Sequence, residues 1–121
     1  MDLLNAFTRL ISQCKVVVGR LDYAGGVPSI AESSGYGESD QAQFGTPTDT
    51  GTGDVIVIVK NFRGRQGKLA AFANSTTISV FVSPTAASYT ADTDTANFTF
   101  KIENDASTAT DAGFYFFLVA Y

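Results

Sequence analysis

Asn97-Phe98-Thr99-Phe100-Lys101-Ile102 alternates without a break: Phe98, Phe100 and Ile102 fall on one side of an extended chain, Thr99 and Lys101 on the other. Period two in aromatic and β-branched side chains marks a strand with one face in a core and the other in solvent. Upstream, Val55-Ile56-Val57-Ile58-Val59 is β-branched throughout, the pattern of a strand covered on both faces. Residues 69–73 and 77–82 add two further runs. The second places Ile78, Val80 and Val82 on one face and stops at Pro84. Downstream, residues 114–121 close the pattern with a strand that is apolar on both faces. Turn-forming clusters at 64–67, 74–75, 91–95 and 104–113 separate these runs. Short strands at this spacing predict an all-β fold, a β-sandwich or jelly-roll-like barrel.

Toward the N-terminus the pattern changes twice. Residues 24–54 are dominated by Gly, Ser, Thr, Pro and acids, with no Lys or Arg between Arg20 and Lys60. Val27, Ile30, Tyr36 and Phe44 are their isolated apolar anchors. This composition predicts a long loop or arm, which stays ordered only if it packs against something. Residues 2–14 carry Leu3, Leu4, Phe7, Leu10 and Ile11 at helical spacing, with Asp2 placed to cap. They predict a short amphipathic helix that needs a surface to lie on. Val16-Val17-Val18 then reads as a short strand. The expected organisation is one structural domain: helix and arm over 1–53, sandwich core over 54–121, and residues 16–23 adding a strand.

Composition narrows the chemistry. The chain has 121 residues, no histidine, no tryptophan and a single cysteine, Cys14. Imidazole is the commonest general acid/base near neutral pH and the commonest metal ligand, so its absence argues against both uses. Cys14 has no second cysteine to pair with inside the chain. Asp49-Thr50-Gly51 matches the three-residue core of aspartic proteases. Those motifs follow an apolar strand, whereas Gly45-Thr46-Pro47-Thr48 precedes this one and Thr52-Gly53 follows. Asp-Thr-Gly is also simply turn-forming. No catalytic residue and no cofactor are expected.

Charge is equally informative. Asp92, Asp94, Glu103, Asp105 and Asp111 gather carboxylates in the loops flanking one strand, and calcium takes such oxygens. Asp92-Thr93-Asp94-Thr95 lacks the glycine and closing glutamate of an EF-hand loop, so turn capping rather than a metal site is expected. Lys60, Arg63, Arg65 and Lys68 supply half of the 8 basic residues in one short loop. With a net charge of −4 and one interleaved aromatic, Phe62, this loop fits an acidic protein surface better than nucleic acid. No run approaches the ~18 apolar residues of a membrane span. Met1-Asp2, with Arg9, Gln13 and Lys15 interrupting the apolar stretch, predicts a protein made in the cytoplasm without a signal peptide.

Only one face of residues 114–121 can meet its own core, which leaves Tyr115 and Tyr121 on the side needing other cover. An amphipathic helix, a long Gly/Ser/Thr/acid arm and a compact β-domain ending in an aromatic strand together resemble the head-decoration (cement) proteins of tailed bacteriophages. Head fibres and other minor virion proteins look similar. The likeness is architectural and spans the chain, without a shared motif. It implies a structural virion protein, released by lysis, that binds the outer capsid surface and bridges neighbouring subunits. Its partners would be the major capsid protein and copies of itself, most simply as a trimer, with no nucleic acid and no membrane. On that footing Leu3, Leu4, Phe7, Leu10, Ile11, Val27, Ile30, Tyr36 and Phe44 make inter-subunit contacts. Arg63, Arg65 and Lys68 dock on acidic shell surface, and Phe98, Phe100, Ile102, Val57 and Phe116 form the core. The alternative expectation is a carbohydrate- or receptor-binding sandwich of a virion fibre or cell surface, with Tyr23, Tyr36 and Tyr89 as its exposed aromatics.

Overall fold

The computed structural model describes residues 3–5, 15–36, 43–60 and 69–120. Residues 3–5 form a turn of helix. Among the described residues nine strands follow: β1 (Lys15–Ala24), β2 (Val27–Tyr36), β3 (Gln43–Phe44), β4 (Thr48–Gly51), β5 (Asp54–Lys60), β6 (Leu69–Ser75), β7 (Val80–Thr90), β8 (Thr95–Asn104) and β9 (Phe114–Ala120). They make two antiparallel sheets that face each other without closing into a barrel. The first sheet has the order β2-β1-β9-β6, and the second β3-β5-β8-β7 with β4 also paired to β5.

The alternation legible in the sequence builds the core directly. Val55, Val57 and Val59 of β5 and Ala96, Phe98, Phe100 and Ile102 of β8 point inward from the second sheet. Val17 and Leu21 of β1 and Phe114, Phe116, Leu118 and Ala120 of β9 meet them from the first. The aromatic rings interlock across this layer: Phe100 lies 4.9 Å from Phe114 between centroids, and Phe114 lies 6.2 Å from Phe116. The expected core residues Phe98, Phe100, Ile102, Val57 and Phe116 are all buried.

Three stretches depart from expectation, each for a physical reason. Residues 27–36, read as part of a loop, are a ten-residue strand paired along β1. Gly25 and Gly26, both at positive φ, make the two-residue turn whose twist matches a hairpin, and β2 is polar because it is an edge strand. Residues 43–44 and 48–51 pair with β5, so strand replaces much of the expected arm. Pro84 does not end its strand. It sits within β7, the other edge of the second sheet, beside a register shift between Pro84 and Ala86. An edge strand tolerates a residue with no N–H, and proline with a bulge discourages further pairing. Ile78 lies outside β7, exposed in the turn that ends at Ser79 with φ 65°.

Gly53 shows how tightly the sheet ends are joined. Its φ is +74°, and a Cβ there would stand 2.5 Å from the Ile102 carbonyl oxygen. The Ile102 N–H donates to the Gly53 carbonyl at 2.7 Å.

Phe100→Ala is expected to destabilise the fold by roughly 3–5 kcal/mol, since it opens a cavity among interlocked rings. Phe81→Ala, at an exposed position of the same sheet, is expected to change stability by less than about 0.5 kcal/mol. Denaturant titration of the two variants reads the difference.

Candidate functional site

With the inward set accounted for, β9 presents a second apolar set outward. Across the first sheet, Phe72 of β6, Phe117 of β9 and Val18 of β1 share one row. Ala70, Val119 and Val16 make the next row toward the start of β1. Asn74, Tyr115 and Arg20 make the row on the other side. Phe72 is 62% exposed, Tyr115 51% and Phe117 42%. The Phe72 and Phe117 rings touch edge to face with centroids 6.2 Å apart, so the face is a preformed platform. The three aromatics leave on the order of 300 Å² of ring surface in solvent, a patch of the size that marks a contact site on a monomer. Polar groups rim it: Arg20 Nε donates to Asp22 Oδ1 at 3.1 Å, and Asn74 stands opposite Tyr115.

Val16 extends this face in a telling way. It is buried although it belongs to the outward phase of β1 and lies outside the core cluster. The outer face is therefore closed at the Val16 end and open at the Phe72–Tyr115 end.

A second locus lies at the end of the sandwich where the β1–β2, β4–β5 and β8–β9 connections meet. Asp111 Oδ1 accepts the Gly53 N–H at 2.9 Å, and Asp49 Oδ1 accepts the Gly51 N–H at 3.0 Å. Asp49-Thr50-Gly51 thus lies in β4 just before the Thr52-Gly53 turn, and Asp49 caps the register shift between Asp49 and Gly51. The Tyr23 hydroxyl oxygen is buried here with no hydrogen-bond partner. Burial, then the negative charges of Asp111, Asp49 and Asp54, hold its pKa above the ordinary value of 10.0.

The carboxylates singled out in the sequence do not converge. Asp94 accepts the Tyr89 hydroxyl at 2.7 Å at one end of β8, while Glu103 pairs with Lys101 at 2.7 Å near the other. Ten residues of strand put these ends ~30 Å apart. Among the described residues no three acidic or cysteine side chains are placed to hold a metal ion. A cleft of about 230 Å³ between β2 and the β3–β4 edge is lined by Pro28, Ile30, Phe44 and Pro47 with neighbouring backbone.

The residues expected to make contacts divide by phase. Leu3 is 85% exposed and Leu4 72%. Val27 and Tyr115 are also exposed. Ile30 and Phe44 instead pack on the chain's own core, with Phe44 5.6 Å from Phe116. Tyr23 and Tyr89 also turn partly into the core. Phe7, Leu10, Ile11, Arg63, Arg65, Lys68, Tyr121 and the Tyr36 side chain lie outside the described residues.

Sequence reasoning missed Phe72. In residues 69–73 it is the one large side chain out of phase with Leu69, Ala71 and Ala73, which face inward. That phase error was the available signal. No protein-family model matches the chain, and neither a curated protein nor a solved structure matches it.

Tyr23 gives a direct test of the buried hydroxyl. Below pH 10 the hydroxyl is protonated in both folded and unfolded chains, so it adds no pH dependence. Above pH 10 the unfolded chain releases the proton more readily, and stability falls as pH rises. Tyr23→Phe is expected to reduce this alkaline loss. It also removes an orphaned polar group, and should stabilise the protein at pH 7 by about 1 kcal/mol. Thermal melts of both proteins between pH 7 and pH 11 check both effects.

Proposed function

We propose that this chain is a structural adhesion protein that works by burying the outer face of its first sheet in an assembly, as a virion protein on the outer surface of a capsid shell. The observation that carries the reading is the set Phe72, Tyr115 and Phe117, exposed on a rigid sheet whose other face already fills the core. At ~25 cal/mol per Å², covering ~300 Å² of ring surface on one protomer contributes several kcal/mol. Contacts of that size hold firmly when each molecule makes several, as it does when it bridges neighbouring subunits of a shell.

The N-terminal amphipathic helix belongs to this picture. Leu3 and Leu4 open the apolar stripe that continues in sequence through Phe7, Leu10 and Ile11, and both are exposed where the structure describes them. The basic loop with Arg63, Arg65 and Lys68 supplies positive charge for an acidic shell protein. Among the described residues no helix is long and apolar enough to cross a membrane.

A second reading, a carbohydrate- or receptor-binding face, is favoured by one feature of the same site. Tyr115 is flanked by Asn74 and Arg20 in its row, an aromatic beside amide and charged groups. Sugars stack on such rings while hydrogen-bonding to the rim.

Co-sedimentation with purified capsid shells stripped of this chain separates the two. The wild-type protein is expected to pellet with shells at a fixed number of copies per shell. Phe72→Ser with Phe117→Ser is expected to lower that binding at least tenfold while keeping the wild-type circular dichroism spectrum and a cooperative melt, lowered only by the loss of the ring pair. Shells that bind no protein, together with hits on a glycan array, would reverse the order of the two readings.

A further inference from the structure

We draw no further inference here: the strongest candidate, the cleft of about 230 Å³ between β2 and the β3–β4 edge lined by Pro28, Ile30, Phe44 and Pro47, is an apolar groove, and nothing in the structure shows what fills it.

Discussion

A strand has two faces, and β9 is apolar on both. That constraint organises the molecule. Phe114, Phe116, Leu118 and Ala120 satisfy the inner face against β5 and β8, and they complete a core with no room for a second set. Tyr115, Phe117 and Val119 are then fixed on the outside by the pleat, because a one-residue slip would exchange the two sets. β1 on one side and β6 on the other hold that register through seven paired positions each. The exposed platform is thus enforced by the core rather than left over from it. Substituting it away costs the ring pair and part of one buried side chain, while shifting it would cost the whole inner layer.

The same logic explains how the edges behave. β2 and β7 are long edge strands that present backbone groups to solvent, a template for uncontrolled pairing. β7 is interrupted by Pro84 and its register shift, and β2 shifts register against β1 between Arg20 and Leu21. On the adhesion reading proposed here, contact would be directed through a side-chain surface on the flat of the first sheet. Such a surface can be matched to one partner, whereas an open backbone edge accepts any strand.

Much of this was legible in the residues, and what was hidden has identifiable causes. β8 declares itself through strict period two in Phe and Ile, because burial on one face leaves no freedom at those positions, and β5 and β9 through unbroken apolar runs. β2 hid because it lies at an edge. It needs few inward anchors, Ile30 among them, and half of its positions are Ser, Glu and Gly that also suit loops. β7 hid behind Pro84, since proline signals a strand's end unless the strand is known to be an edge. The platform was half legible: Tyr115 and Phe117 follow from a strand apolar on both sides, but Phe72 becomes part of it only once β6 is seen beside β9. Pairing between strands some 40 residues apart leaves no local trace. Ile30 and Phe44 looked like anchors for a partner because their own core contacts are equally non-local.

The claim beneath this account is that the outer aromatic face is bare in the isolated molecule and covered in company. Hydroxyl-radical footprinting of the wild-type chain, free in dilute solution and bound to purified shells, measures it residue by residue. The expected result is strong labelling of Phe72, Tyr115 and Phe117 in the free chain and protection of all three on shells, with Phe98 and Phe100 protected throughout. Protection of the three outer aromatics in the dilute free chain, or their undiminished labelling on shells, would contradict it.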